Sequence, residues 1–393
     1  MDTLSNPYSP GAGRRPAALV GRDEQRAAWA SALARVAAGR GERSMVLYGL
    51  RGVGKTVLLV DLQAAAEDVG WIVGYTEAGA GKSLRSMISD ALQSSLADLA
   101  RPSAGAQIRK ALKTFVSFKT SVSSEGVWTF GLDLDADAGG GADSGALEFD
   151  VSTVVRDICA AASGQGVGLA LLIDEAQDLT REELTVLCST AHLATQRNLP
   201  LLIALAGLPS LPVQLAEAKS YAERLFAFHQ VRELAHHDAR DAIVEPAVEQ
   251  GVVWDGDAVT HLIDATGGYP YFLQEYGQAA WNWAPDGAGR ICYDDARLGG
   301  LLALRDLDSG FFRVRWERAT PKERDYLQAM AIDGDGGSSS GEVAKRLGKK
   351  LTSLGPARAS LIAKGLIYAP EHGRVAFTVP RMADFINRQA RDF

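Results

Sequence analysis

The stretch LYGLRGVGKTVLL, residues 47–59, decides the fold of this chain. It fits the pattern G-x-x-x-x-G-K-[ST], whose fixed positions are Gly49, Gly54, Lys55 and Thr56. The apolar run SMVLYG before the loop is typical of a buried parallel strand, and the residues after it have the apolar spacing of a helix. Glycines let backbone N–H groups turn toward phosphate oxygens, and a helix start adds partial positive charge. The stretch therefore predicts a strand, a phosphate-binding loop and a helix.

A second apolar run ends in acidic residues, within GLALLIDEAQDL at residues 168–179. The run LALLI predicts a buried strand, with Asp174 at its carboxyl end, where open α/β sheets bind their ligands. Lys55 is then expected to reach the β and γ phosphates, while Thr56 and Asp174 hold Mg²⁺, the latter through water. Glu175 would polarise the attacking water. The alternative is that the two acidic residues cap the following helix.

Five motifs together resemble the AAA+ and STAND groups of P-loop ATPases. The phosphate loop and LLIDEAQ (171–177) are joined by LVGRDEQ (19–25), LLIALAGLPSL (201–211) and GGYPYFLQ (267–274), so the resemblance covers residues 19 to about 285. It implies ATP or ADP and Mg²⁺ as cofactors and a helical lid over the nucleotide. The residues that it places at the nucleotide are Val20, Gly21, Arg22, Gly49, Arg51, Gly52, Val53, Gly54, Lys55, Thr56, Val57, Tyr269 and Pro270.

Two departures from that family indicate slow hydrolysis. AAA+ motors tend to end the fourth strand in a polar residue, whereas this strand ends in Ala206 and Gly207. Motors also tend to carry an arginine on the lid, whereas the equivalent segment here is Gly-Tyr-Pro at 268–270, similar to STAND switches and archaeal-type ATPases. Each missing donor is expected to raise the barrier to hydrolysis by about 2 kcal/mol. The sequence therefore favours a nucleotide switch, with weak ATPase activity, over a motor.

Arg224 is the one motor-like residue that the resemblance retains. It stands just before an apolar, strand-like stretch, where AAA+ proteins place an arginine that points into a neighbouring subunit's site. Such an arginine can raise the rate by several orders of magnitude. The resemblance thus makes Arg224 a candidate catalytic residue of a homo-oligomer. The alternative is a surface arginine paired with Glu223 or Asp238.

The predicted fold class is α/β, with a P-loop parallel sheet, a helical lid and a small winged-helix domain. Strands are expected near 44–49, 71–77, 168–174, 200–206 and 226–232. Alternating residues around SSEG predict a β-hairpin insertion near 117–147, which either contacts a partner or is a simple flap. The predicted domains are an N-terminal arm at 1–18, the ATPase core at 19–234, the lid at 235–305 and a C-terminal domain at 306–393.

The C-terminal part has the order helix, helix, helix, hairpin, which resembles the winged helices of origin-recognition initiators and many bacterial regulators. Thr320 is expected to cap the first helix. From Thr320 onward there are 12 Lys and Arg against 8 Asp and Glu, a balance of +4. Double-stranded DNA is the predicted partner, and docking to a protein is the alternative. The candidate DNA contacts are Lys349, Lys350, Ser353, Arg358, His372 and Arg374.

Composition narrows the class of protein. A hydrophobic share of 47% allows a sizeable buried core. No apolar run has the length of a membrane-spanning helix, and the N-terminus lacks the basic-then-apolar order of a signal peptide. Cys159, Cys188 and Cys292 are widely spaced and odd in number, which argues against a disulfide framework or zinc site and favours buried apolar roles. A cytoplasmic protein is expected.

Overall fold

The computed structural model describes residues 1–79, 81–99, 105–120, 141–285, 287 and 289–389. Its centre is a five-stranded parallel sheet with the strand order β2-β3-β4-β1-β5. The five predicted strands are confirmed as β1 Ser44–Tyr48, β2 Ile72–Glu77, β3 Leu169–Asp174, β4 Leu201–Gly207 and β5 Phe226–Gln230. Strands β3 and β4 are buried along their whole length, because helices cover both faces of the sheet.

Helices on the two faces form two separate buried cores. One face packs against α1 Asp23–Ala37 and α2 Lys55–Asp68, with Trp29 and Leu58 fully buried beneath them. The other face is covered by α3 Leu84–Leu99, α4 Ala106–Thr120, α5 Leu147–Ser163 and α6 Arg181–Arg197. Two short helices, α7 Leu211–Ala218 and α8 Ala222–Leu225, connect β4 to β5.

The predicted β-hairpin near 117–147 is wrong at its start, and the rest of it stays a prediction. Residues 117–120 belong to α4, because Phe115 and Phe118 follow the helical spacing and are buried in the core of that face. Leu147 begins α5. Residues 121–140, which include the SSEG turn, lie outside the described part of the chain.

The lid is helical, as predicted. It comprises α9 His236–Glu249, α10 Gly256–Thr266, α11 Pro270–Trp283 and α12 Tyr293–Asp306, with a small parallel pair β6 Val253–Trp254 and β7 Arg290–Ile291. The chain then continues through a π-helical segment, Leu307–Phe312, into α13 Arg313–Glu317.

The N-terminal arm packs against the lid. Tyr8 is only 1% exposed, and its hydroxyl accepts a hydrogen bond from the indole Nε1 of Trp254 at 2.8 Å. The Trp281 Nε1 donates to the backbone oxygen of Asp2 at 3.0 Å. Further along, the Arg15 guanidinium pairs with Asp61 of α2 at 3.1 Å. The arm therefore runs from the lid to the sheet domain.

The C-terminal part contains the predicted helices and hairpin in the predicted order. They are α14 Pro321–Ala331, α15 Ser340–Arg346, α16 Gly355–Ala363, β9 Ile367–Tyr368 and β10 Arg374–Phe377. Strand β8 Ser338–Ser339 and helix α17 Met382–Gln389 were not predicted, and β8 extends the hairpin to three strands in the order β8-β10-β9.

The structure defines how two helices of the C-terminal part begin. Thr320 caps α14 in a reciprocal capping box with Glu323, which confirms the prediction for that helix. The third helix begins at Gly355, after the residues Leu351–Leu354, which form a separate turn of 3₁₀ helix.

The lid and the C-terminal part share one continuous hydrophobic core. Phe312, from the π-helical segment, stacks on Phe385 of α17 with ring centres 5.4 Å apart and also contacts Phe272 of the lid at 6.0 Å. The C-terminal part is therefore packed directly on the lid. Within the described residues, no helix is both long and apolar enough to cross a bilayer.

Candidate nucleotide site

The loop between β1 and α2 has the backbone geometry that close approach to phosphate requires. Gly52 and Gly54 have φ values of 85° and 91°, a region that side chains with a Cβ rarely adopt. A Cβ at Gly49 would lie 2.1 Å from the backbone oxygen of Val231, so only glycine fits there. The loop leads directly into the N-terminus of α2 at Lys55.

Lys55 is buried and folded back onto its own loop. Its Nζ donates hydrogen bonds to the backbone oxygens of Gly49 at 3.0 Å and Leu50 at 2.9 Å. Burial lowers the pKa of this ammonium to about 8, although the carboxylates of Glu175 and Asp174 act in the opposite direction. Among the described residues, the ammonium thus contacts backbone carbonyls of the loop and no carboxylate directly.

Thr56 and Asp174 meet at the carboxyl edge of the sheet. The Thr56 Oγ1 donates to the Asp174 Oδ2 at 2.6 Å, and the other carboxylate oxygen accepts the backbone N–H of Glu175 at 2.8 Å. Burial raises the pKa of Asp174, and the bond from Thr56 opposes that rise. A hydroxyl and a carboxylate are oxygen ligands of the kind that Mg²⁺ prefers, so this pair fits the predicted metal site.

Glu175 stands in left-handed backbone geometry, with φ 48°, directly after β3. Its carboxylate is held from two sides: the Arg51 Nη1 lies 3.3 Å away and the Gln177 Nε2 donates at 2.6 Å. The Gln177 Oε1 accepts the backbone N–H of Leu208, just past β4, at 2.9 Å. Glu175 does not cap the following helix, since Thr180 and Glu183 form the capping box of α6.

Gln177 supplies the polar side chain that β4 itself lacks. Ala206 and Gly207 are buried and carry no side-chain donor, as the sequence indicates, but the Gln177 amide reaches the end of that strand. Sequence reasoning missed this residue because its place depends on the short 3₁₀ turn Ala176–Asp178. The only signal in the sequence is its position two residues after Glu175.

Arg22 ties the loop to the rest of the sheet domain. Its buried guanidinium donates to the backbone oxygens of Val53 at 2.9 Å and Arg232 at 2.7 Å. The neighbouring Gly21 has a φ of 68° and packs closely against Asp238. Val20 lines the cavity beside the loop. Arg22 also lines this cavity, and its hydrogen bond to Val53 helps to position the loop.

A cavity of about 370 Å³ opens in front of the loop. The arm, the loop, the lid, the π-helical segment and α13 all contribute to its wall. Its basic residues are Arg14, Arg22, Arg51, Lys55 and Arg315, whereas Glu175 is the one acidic residue among the described residues that line it. This imbalance makes the cavity strongly attractive to a polyanion.

The lid lies directly against the phosphate loop. Pro270 opens α11 and lines the cavity, and the backbone N–H of Tyr271 donates to the Gly52 oxygen at 3.2 Å. Tyr271 stacks on Phe311 with ring centres 5.0 Å apart, while Tyr269 packs beside Phe272. The structure thus brings Pro270 to the predicted site and adds Phe311, Arg315 and the arm, which the sequence did not indicate.

Arg224 lies at the amino end of the parallel strands, and the phosphate loop lies at their carboxyl end. It is exposed in α8, at the start of β5, whereas the loop follows the end of β1. Within the described residues its guanidinium pairs with neither Glu223 nor Asp238, and Asp238 instead lies 3.2 Å from His237. Arg224 is therefore a free surface cation that cannot serve the cavity of its own chain.

The candidate DNA residues are spread over the C-terminal part. Lys349, Lys350 and Ser353 are exposed just before α16, and His372 is exposed at the hairpin tip. Arg358 is half-buried on α16. Arg374 is exposed but lies 3.6 Å from Glu371, and its Nη2 also donates to the backbone oxygens of Gly336 and Gly337.

The C-terminal part also contacts the phosphate loop. The backbone N–H of Arg51 donates to the Thr378 oxygen, just past β10, at 2.9 Å. The Arg51 guanidinium lies close to Gly365, before β9. One loop residue thus connects the predicted catalytic carboxylate, Glu175, to the base of the C-terminal hairpin.

The cysteines follow the expected pattern only in part. All three are free, and Cys159 and Cys188 are buried, whereas Cys292 is half-buried at the start of α12. Across the described ranges no group of His, Cys, Asp and Glu is arranged to hold a metal ion by itself.

Two protein-family models match the chain. Residues 18–203 match the AAA ATPase domain, and residues 309–386 match a domain of unknown function (DUF8462). None of the curated proteins compared with the chain matches it.

Solved structures that match the chain include three archaeal proteins. The Walker-type ATPase of Pyrococcus abyssi is 17% identical, with 95% of this chain and 97% of that one covered and a TM-score of 0.58. Cdc6p from Pyrobaculum aerophilum is 13% identical, with 100% and 98% covered and a TM-score of 0.49. The Orc1 protein of Aeropyrum pernix, solved in complex with DNA, is 16% identical, with 96% of each chain covered and a TM-score of 0.43.

The Pyrococcus match shows the fold across nearly the whole chain, and the family model matches the part that carries the loop, Lys55 and Asp174. Residues 18–203 therefore match the AAA ATPase domain, and the chain has the fold of the Walker-type ATPase of Pyrococcus abyssi.

Proposed function

We propose that this chain binds ATP with Mg²⁺, hydrolyses it slowly, and uses its nucleotide state to control a C-terminal winged helix that binds double-stranded DNA. The observation that carries the nucleotide part is the cavity, where five basic side chains and a helix N-terminus face a single carboxylate. A triphosphate supplies the missing negative charge.

Each residue of the site has a role in this proposal. Lys55 leaves the carbonyls of its own loop and binds the β and γ phosphates. Thr56 and Asp174, which are hydrogen-bonded to each other, would hold Mg²⁺, Asp174 through water, and the ion would neutralise phosphate charge. Glu175 accepts a proton from the attacking water, and Gln177 orients that carboxylate.

Slow hydrolysis follows from the way Glu175 is held. A carboxylate that is paired with Arg51 and accepts a bond from Gln177 has fewer free lone pairs for water. The pairing must loosen before Glu175 can act as a base. This supports a switch that stays loaded for long periods over a motor that turns over quickly.

The DNA part rests on the C-terminal elements. Their order matches a winged helix, and Lys349 and Lys350 are exposed in the segment that precedes its third helix, α16. The contact from Arg51 to Thr378 gives the nucleotide site a direct connection to the hairpin. Phosphate binding at the loop would change that contact and so the position of the C-terminal domain.

We propose in addition that Arg224 acts on a neighbouring copy of the chain. It is exposed, unpaired within the described residues and remote from its own cavity. Turnover per subunit should rise with protein concentration, and Arg224→Ala should remove that rise, while Arg240→Ala, another exposed arginine, should keep it. A rate independent of concentration would leave Arg224 without a catalytic role.

One titration tests the main proposal. Double-stranded DNA is titrated with the full chain in a gel shift, with ATP, with ADP and without nucleotide, at two salt concentrations. We expect salt-dependent binding that differs between ATP and ADP. No shift in any state would contradict the DNA role, and nucleotide-dependent oligomerisation without DNA binding would favour docking to a protein.

A further inference from the structure

Arg315 is a cation in the nucleotide cavity that neither the phosphate-loop motif nor the AAA domain match accounts for. It lies on α13, well outside residues 18–203 and beyond the lid helix that begins at Pro270. The π-helical segment Leu307–Phe312 precedes it, and both Phe311 and Arg315 line the cavity wall.

The guanidinium of Arg315 is held in place before any ligand arrives. It lies over the ring of Phe311 at 3.9 Å, and its Nη1 donates to the Phe311 backbone oxygen at 2.7 Å. Phe311 is fixed in turn by stacking on Tyr271 of the lid. A fixed cation loses little entropy when it binds an anion.

The charge of Arg315 has no carboxylate partner. Within the described residues no Asp or Glu forms an ion pair with it, and its charged neighbours include Arg51 and Arg318. Burial, and then the charge of Arg51, lower the pKa of Arg315 below its ordinary value. Two neighbouring guanidinium groups in a half-buried wall repel each other, and an anion between them would relieve that repulsion.

The position of Arg51 indicates which part of a nucleotide this anion is. Arg51 contacts Glu175, the carboxylate that the proposed function assigns to the attacking water. The attacked phosphate is the terminal one, so it must lie beside Glu175 and hence near Arg51. Lys55 and the start of α2 hold the phosphates from the other side.

We propose that Arg315 binds the terminal phosphate of bound ATP and thereby distinguishes ATP from ADP. The inference rests on the proposed nucleotide binding. Since α13 leads into the C-terminal domain, loss of that phosphate frees the helix that joins the lid to the domain. Arg315 would then report the nucleotide state to the C-terminal part through the chain itself.

The test measures dissociation constants of fluorescent ATP and ADP analogues for the full chain with Mg²⁺. Arg315→Met removes the charge but keeps an apolar stem on Phe311. Arg315→Lys keeps the charge but loses the forked geometry. Arg313→Ala changes an exposed arginine of the same helix and is the matched control.

We expect Arg315→Met to weaken ATP binding by about ten-fold or more, the scale of one charge-assisted hydrogen bond, and to change ADP binding by less than about two-fold. Arg315→Lys should fall between the two, and Arg313→Ala should match the parent. The two Arg315 variants should have melting temperatures close to that of the parent.

Equal losses for ATP and ADP, or none, in a folded Arg315→Met variant would overturn the inference. A parent chain that binds ATP and ADP equally well would overturn it even if the variants do not fold. A parent chain that binds neither nucleotide would contradict the proposed function itself, which separates the two failures.

Discussion

The nucleotide cavity and the C-terminal domain both use positive charge, but they arrange it in opposite ways. The cavity lies in the acidic part of the chain, where residues before Thr320 carry −7 − 4 = −11, yet five of its basic side chains converge on one space. The C-terminal domain carries +4, but its basic side chains are spread over separate surfaces. Several are paired, such as Arg346 with Asp333 at 2.5 Å and Lys364 with Glu323 at 2.6 Å.

The difference teaches that the net charge of a region is a poor guide to where an anion binds. We expect convergence and burial to set the affinity of the cavity for an anion, because half-buried charges are screened less by water and salt. Exposed lysines contribute small, roughly additive amounts. Single substitutions should therefore have large effects in the cavity and small effects on the C-terminal surface.

The largest effect is expected at Glu175. Glu175→Gln removes the base that accepts the proton of water, so turnover should fall by about 100-fold or more while ATP still binds. Single-turnover hydrolysis measures it. Glu77→Gln changes another carboxylate at the same edge of the sheet and should leave the rate unchanged. Parent-like turnover in Glu175→Gln would assign the chemistry to another residue.

The next effect is expected at Lys55. Lys55→Met removes the ammonium from the phosphate cradle and should weaken ATP binding by roughly 10- to 100-fold. Isothermal titration measures the affinity. Lys82→Met, an exposed lysine that pairs with Asp90, is the control and should bind like the parent. If both variants bind ATP with the same affinity, the basic residues that converge on the cavity do not contribute to ATP binding.

The pKa of Lys55 gives a smaller, pH-dependent effect. Burial lowers the pKa to about 8 in the free protein, whereas bound phosphates would favour the charged form. Binding then takes up a proton above pH 8, so affinity is highest below pH 8 and should fall by about ten-fold toward pH 9.5. Lys55→Met should lack this dependence. A parent profile that is flat from pH 7.5 to 9.5 would argue against direct phosphate contact.

The smallest effect is expected on the C-terminal surface. The double substitution Lys349→Ala, Lys350→Ala should weaken binding to double-stranded DNA by a few-fold. It should also reduce the slope of log K against log salt concentration by about 2. Lys322→Ala removes an exposed lysine from α14 and should have little effect. An equal loss of DNA affinity in both variants would mean that the positive charge of the whole domain attracts DNA. The segment before α16 would then not be the DNA-binding surface.

The parallel sheet could be predicted from sequence because its information is local. A fully buried strand reads as a continuous apolar run, and the phosphate loop has fixed glycine positions, so both β1 and β3 were found within a residue or two. The first C-terminal helix could be predicted for the same reason, since the cap at Thr320 lies directly before it.

The rest of the site could not be predicted because it depends on tertiary contacts. Gln177 reaches β4 only through a short turn, and Arg315 enters the cavity only because a π-helical segment directs it there. The wrong hairpin edge at 117–120 has a different cause. Its alternating residues also fit a helix once Phe115 and Phe118 have a core to fill.

The arm that runs from the lid to the sheet domain sets a limit on how far the site can open. Tyr8 is anchored in the lid and Arg15 is bonded to α2, and the chain from one to the other is only seven residue-to-residue steps long. A fully extended chain covers about 3.4 Å per residue, so this tether reaches roughly 24 Å and no more. The Arg15 end is exposed and would release first, because surface ion pairs are weak. The covalent length of the arm therefore limits how far the lid can move from the sheet domain. The ion pair that holds the Arg15 end should weaken as the salt concentration rises.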